Sequence, residues 1–170
     1  MSAQPQIPDA EATLAALAAR MSPAVAFDAA FVGIYSGGAW LADRLGKMIP
    51  GAHPVGHIDV SFYRDDYART GLKSGAKRSE LPFDVEGATI VLVDDVLYTG
   101  RTARAAMDAL FREGRPRRVQ LCVLIDRGHR ELPIRADYVG KNLPTAPDEK
   151  VRVRLKATDD AADAVWIEKP

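Results

Sequence analysis

Asp94 and Asp95 stand side by side behind an aliphatic, β-branched run, Ile90 to Val93, and the turn Thr99-Gly100-Arg101-Thr102 begins three residues further on. The run predicts a strand buried on both faces, and the alanine-rich stretch Ala103 to Phe111 predicts the helix that follows the turn. In an open α/β sheet, ligands bind outside the carboxyl ends of the strands, so chemistry is expected here. A turn of small and hydroxylated residues opening a helix presents unpaired N–H groups and the positive end of the helix dipole, which together attract an anion. Gly100 lets the backbone approach a phosphate closely, and Thr99 and Thr102 add hydroxyl donors. Two neighbouring carboxylates would repel that phosphate. They suit ribose hydroxyls or a hydrated divalent cation, which prefers oxygen ligands. A ligand carrying a phosphate at one end and hydroxyls at the other is a sugar phosphate.

A second turn, Ser36-Gly37-Gly38, also links a buried strand to a helix; on spacing alone it reads equally well as a phosphate cradle and as a plain tight turn. The elements that must position both turns follow from hydrophobic period and breakers. Residues 9–21 form an amphipathic helix stopped by Ser22-Pro23; 29–34 form a strand and 39–48 a helix broken by Pro50-Gly51; 55–63 form a partly exposed strand. Arg64 to Arg78 is charged and poor in apolar anchors, a long loop of the kind that is functional in a compact domain. The motif strand and helix come next, then a strand over 118–125. After Asp126 the pattern changes to short segments, 137–140, 151–155 and 164–168, read as a small antiparallel cap. The alternation predicts right-handed crossovers, a mostly parallel sheet and one α/β domain spanning 1–170.

Composition bounds the rest. Hydrophobic residues make up 47% and charged residues 27%, as in ordinary soluble globular chains. No apolar stretch reaches membrane-spanning length and the first residues lack a signal pattern, so a cytoplasmic protein without membrane contact is expected. Cys122 is the sole cysteine and lies in an apolar run, reading as a buried hydrophobe in a reducing compartment. Net charge is zero, but residues 112–154 hold 11 Lys and Arg against 6 Asp and Glu. That argues against a nucleic-acid coat protein while allowing a local basic face.

The segment Val91-Leu-Val-Asp-Asp-Val-Leu-Tyr-Thr-Gly-Arg-Thr102 resembles the phosphoribosyl-pyrophosphate (PRPP) motif of type I phosphoribosyltransferases. Two further segments, Asp59 to Asp66 and Asp126 to Thr145, resemble the PyrR family of pyrimidine-operon regulators with uracil phosphoribosyltransferase activity. The resemblance implies the type I fold: a parallel sheet flanked by helices, a small antiparallel cap (126–168) and a flexible lid loop over about 64–80. It implies conversion of uracil and PRPP to UMP and pyrophosphate with Mg2+. Asp94 and Asp95 would hold ribose hydroxyls and hydrated magnesium; Val96, Leu97, Tyr98, Thr99, Gly100, Arg101 and Thr102 would surround the 5′-phosphate and ribose. Ser36, Gly37 and Gly38 would hold pyrophosphate, Arg64 and the lid would neutralise it, and Arg127 would reach the nucleobase. A homodimer or larger assembly is implied.

The same resemblance raises RNA binding to a pyrimidine-leader transcript through Arg130, Arg135 and Lys141. Here the first helix offers Ala15 and Ala19 where polar residues are expected, which predicts modest, salt-sensitive affinity. Gly37 stands where the family usually has Arg, so one bidentate phosphate ligand is missing. Tyr98 replaces the acid of purine-specific relatives, favouring uracil. His129 has no clustered His or Cys partner and reads as a surface turn residue. Three readings compete: uracil phosphoribosyltransferase, uridine-nucleotide-sensing RNA regulator with weak catalysis, and purine phosphoribosyltransferase.

Overall fold

The computed structural model describes residues 6–61, 79–155 and 162–170. Five parallel strands form the main sheet: β1 (Ala30–Ile34), β2 (Val55–Ile58), β3 (Thr89–Leu97), β4 (Arg118–Asp126) and β5 (Tyr138–Asn142), in the order β2-β1-β3-β4-β5. Among the described residues three helices pack on it: α1 (Ala10–Met21), α2 (Gly37–Met48) and α3 (Arg101–Glu113). A two-stranded antiparallel hood, β6 (Lys150–Arg154) and β7 (Ala164–Glu168), completes the described architecture.

Alternation along the strands sends side chains to two cores. Phe31, Val91, Val93, Cys122 and Leu124 meet α1, α2 and the hood residues Val151, Leu155 and Val165. Ala30, Val32, Ile90, Leu92, Leu121 and Val123 meet the alanine face of α3. Helix α2 crosses from β1 to β2 and α3 from β3 to β4, in opposite lateral directions. Right-handed crossovers therefore place them on opposite faces. Phe31, Ile90 and Leu124 are wholly buried, and each such side chain contributes about 1.5–3 kcal/mol of transfer free energy.

Local chemistry explains the boundaries. Asp9 caps α1, its Oδ1 accepting from Ala12 N–H at 2.7 Å, and Leu14, Leu17 and Met21 form the buried stripe. Arg44 on α2 makes a two-pronged ion pair with Asp163, tying the hood to the sheet's helical layer.

Three expectations are corrected. The segment expected in the cap at 137–140 is the fifth strand of the parallel sheet, pairing Cys122 with Tyr138 and Val123 with Val139. As an edge strand it is only half-buried and shows no clean alternation, which concealed it. Strand β3 also runs four residues beyond Val93, with Asp94, Val96 and Leu97 all in register with β4. The expected strand beyond Ile58 is shorter: β2 ends there. The lid expectation up to residue 78, with Arg64, lies outside the described residues.

Candidate active site

The strand order reverses direction between β1 and β3, and an α/β sheet opens a crevice at such a switch point. The turns after these two strands lie on either side of it. Helix α2 starts at Gly37 and α3 at Arg101, and neither N-cap residue, Ser36 nor Gly100, makes a side-chain cap hydrogen bond. Two helix N-termini, neither capped by its N-cap residue, thus face the same crevice, a site suited to an anion at each end.

Close backbone approach builds the first turn. A Cβ on Gly38 would lie 2.3 Å from the Val93 carbonyl oxygen, and one on Gly37 would lie 2.3 Å from Asp95 Oδ2. Only glycine lets the start of α2 rest on β3. The Tyr35–Ser36 peptide is cis. Beneath this turn His57 Nε2–H donates to Asp43 Oδ1 at 2.8 Å and meets the Tyr35 ring edge-on. Desolvation, followed by Glu80, Asp43 and Asp59, raises the Tyr35 pKa and keeps its hydroxyl protonated.

The two carboxylates are half-buried and oriented by their own backbone. Asp95 N–H donates to Asp94 Oδ1 and Val96 N–H to Asp95 Oδ1, both at 2.8 Å. In the second turn Gly100 takes φ 95°, a left-handed conformation, and a Cβ there would press on Ile134 at 3.2 Å. Arg101 N–H donates to Thr99 Oγ1 at 3.2 Å, and Arg101 Nε pairs with Glu131 at 3.1 Å. From behind, the N–H groups of Glu131 and Leu132 both donate to the Thr99 carbonyl.

A cleft of about 560 Å³ opens beside this turn, between Val96, Tyr98 and Arg127 on one wall and Pro147 to Arg152 on the other. Arg127 is 5% exposed; its Cζ lies 4.0 Å from the Tyr98 ring centroid.

The structure therefore gathers Ser36, Gly37, Gly38, Asp94, Asp95, Val96, Tyr98 to Thr102 and Arg127 around one crevice. Leu97 is the exception: its side chain is buried in the α3 core, and only its carbonyl works here, accepting from Arg127 N–H. Arg130 is not a surface cation. Its guanidinium donates to Asp126 Oδ2, Ile134 O and the Tyr98 carbonyl, at 2.6, 2.9 and 2.7 Å. Arg135 and Lys141 are exposed but lie apart, Arg135 beside α3 residues such as Met107 and Lys141 beside Ala12 and Ala16 of α1. His129, read in the sequence as a surface turn residue, is joined to Thr145 at 2.6 Å from Nε2 to the carbonyl. A His after a Gly in a Pro-poor turn gave no signal of this; only φ 64° at His129 does.

Comparison with known proteins fits this geometry. Residues 6–157 match the family model described as phosphoribosyl transferase domain. The chain is 54% identical over 144 residues to the Bifunctional protein PyrR of Roseiflexus sp. (strain RS-1), covering 82% of this chain and 79% of that protein. It is 54% identical over 134 residues to the protein of the same name from Thermus aquaticus, covering 76% and 74%. A hypoxanthine-guanine phosphoribosyltransferase from Bacillus anthracis superposes with a TM-score of 0.66 over 86% of both chains, at 20% identity, a likeness of fold. No helix among the described residues is long and apolar enough to cross a membrane. With this fold, this crevice and these relatives, the chain belongs to the PyrR family of phosphoribosyltransferases.

Proposed function

We propose that the crevice transfers the phosphoribosyl group of PRPP to uracil, giving UMP and pyrophosphate. The observation that carries this is the convergence of two helix N-termini, neither capped by its N-cap residue, on the adjacent carboxylates Asp94 and Asp95. One terminus, Arg101 to Thr102 with Thr99 and Gly100, takes the 5′-phosphate; the other, Ser36 to Gly38, takes the pyrophosphate. Asp94 and Asp95, between them, take the ribose hydroxyls. The bond from ribose C1 to pyrophosphate oxygen breaks and a bond from C1 to uracil N1 forms, through an oxocarbenium-like state, while the proton that N1 releases passes to the departing pyrophosphate or to solvent. The amides and carboxylates are already oriented for that charge, so little reorganisation accompanies the step. The cleft beside Tyr98 receives the base, and Tyr98 offers no carboxylate to a purine nitrogen.

The donor set suits magnesium. Two carboxylates, with no cluster of three metal-ligating side chains among the described residues, match an ion that keeps most of its waters and leans on phosphate oxygens. Asp94 and Asp95 would hold it through water, and it would neutralise the departing pyrophosphate.

The relatives' name is bifunctional, and a second role in binding pyrimidine-leader mRNA is favoured here only by the exposed cations Arg135 and Lys141. We rank it below the transferase, because Arg130 is committed internally and the outer face of α1 is alanine-lined. Self-association into a homodimer or larger assembly accompanies either role, and the buried, unpaired Cys122 suits the reducing cytoplasm. The direct test is to supply PRPP, Mg2+ and uracil and to follow UMP and pyrophosphate together. Equimolar appearance of both is expected; absence of UMP would refute the assignment.

A further inference from the structure

Thr145 is held twice. Arg127 Nε donates to its Oγ1 at 3.1 Å, and His129 Nε2 donates to its carbonyl at 2.6 Å; Arg127 Nη2 also reaches the Ala146 carbonyl at 3.3 Å. The same two side chains flank Tyr98. Arg127 lies 4.0 Å over its ring and His129 meets it edge-on at 6.1 Å and 75°. Gly128 and His129 take φ 81° and 64°, two successive left-handed residues that turn the imidazole back toward the strand ends. A non-glycine residue keeps that conformation only where its surroundings hold it.

Tyr98 forms one wall of the base cleft, and the segment starting at Pro147, directly after Ala146, forms the other. Arg127 and His129 link the two walls by hydrogen bonds. The Nε and Nη2 edge of Arg127, the edge best shaped for a bidentate partner, is spent on the protein's own chain rather than pointed at a base.

We propose that Arg127, His129 and Thr145 form a latch that sets the separation of Tyr98 from the hood wall and thereby selects the acceptor base by size. They are positioning residues: Arg127 acts on the base through Tyr98 and Thr145. The inference rests on the nucleobase-transfer reading of this cleft. It concerns the width of the cleft, whereas that reading concerns whether transfer occurs.

The experiment compares wild type with Thr145→Val, Arg127→Lys and the double variant, with uracil and hypoxanthine as acceptors. Thr145→Val removes one hydroxyl at constant shape. It should raise KM for uracil about fivefold to tenfold, the effect of one hydrogen bond, and shrink the preference for uracil over hypoxanthine. The values of kcat and of KM for PRPP should stay within about twofold, since the PRPP contacts are untouched. In the Arg127→Lys background the Thr145→Val effect should vanish, the signature of a shared interaction. Should Arg127→Lys fail to fold, His129→Asn takes its place through the Thr145 carbonyl. An unchanged uracil KM in Thr145→Val, equal rises in KM for uracil and PRPP, or full additivity overturns the latch. Calorimetric titration with UMP probes the same cleft without turnover. A wild type that binds UMP yet forms none refutes the transfer reading, while weaker UMP binding in Thr145→Val still upholds the latch and unchanged binding overturns it.

Discussion

Gly37 and Asp95 interlock: the space a side chain would fill at Gly37 is occupied by the Asp95 carboxylate, whose Oδ2 lies 2.3 Å from the position of a Cβ. The glycine that looks like a lost arginine in sequence is the complement of an acid fifty-eight positions away. The first prediction follows. Gly37→Arg should not improve PRPP binding; it must first turn Asp95 away from the Val96 amide that orients it. Steady-state kinetics should show a raised KM for PRPP and lower kcat in Gly37→Arg, and the same direction in Gly37→Ala.

Asp94→Asn with Asp95→Asn should abolish PRPP-dependent pyrophosphate release while leaving the fold intact. Both acids are half-buried at a strand end, outside either apolar core. Each charge-assisted bond lost should cost about 1.5–3 kcal/mol. Circular dichroism confirms folding, and a pyrophosphate-release assay reads the loss. Full turnover in a folded double variant would remove the carboxylates from the mechanism.

Uracil should be used in preference to hypoxanthine and guanine, because Tyr98 stands where an acid would serve a purine. Parallel assays of UMP, IMP and GMP formation from PRPP decide the order. Faster IMP or GMP synthesis would sink the pyrimidine assignment.

A pyrimidine-leader stem-loop should bind modestly and lose affinity steeply with salt, through Arg135 and Lys141 rather than Arg130. Filter binding with a scrambled control is the measurement. Arg135→Gln should reduce the salt slope by about one. Arg130→Gln should act instead on PRPP kinetics, because Arg130 holds the Tyr98 carbonyl.

Cys122 should resist alkylation in the native state. Burial raises its thiol pKa far above the ordinary range, and its S–H faces Met21 Sδ at 3.6 Å. A raised folded pKa means the unfolded thiol loses its proton first. Stability is then full below the ordinary thiol pKa and falls as pH climbs above it toward the folded value. Iodoacetamide labelling at mildly alkaline pH should be slow in buffer and fast in urea, and chemical denaturation should show declining stability at high pH.

The carboxylates and the Thr99-Gly100 turn were legible because an aliphatic run with a Thr-Gly turn has few other uses, whereas Ser36-Gly37-Gly38 was legible only as a turn from strand to helix. The helices were legible too, from period and breakers. What escaped the sequence shares one physical cause, a side chain whose role is set by its partner. Arg130 reads as a solvated cation until Asp126, Ile134 and Tyr98 are seen around it. His129 reads as a turn residue until its link to Thr145 appears. Tyr138 to Asn142 reads as cap because an edge strand shows little alternation, its partner being β4 on one side alone.

Both turns proposed to hold anions are rooted in strands that share a hydrogen-bonded ladder, Ala30 to Gly33 against Ile90 to Val93. Their separation is therefore inherited from the spacing of neighbouring strands, about 4.8 Å at the root. Helices α2 and α3 pack on opposite faces of β3, each following the strand rather than setting that spacing. The helix surfaces can drift in sequence, or take on new partners, without re-tuning the distance between the two turns proposed to recognise phosphate. A second activity could be added to the outside of such a molecule while the span that fits one sugar bisphosphate-like ligand stays constant, and a disturbance large enough to change that span would have to separate the two central strands themselves.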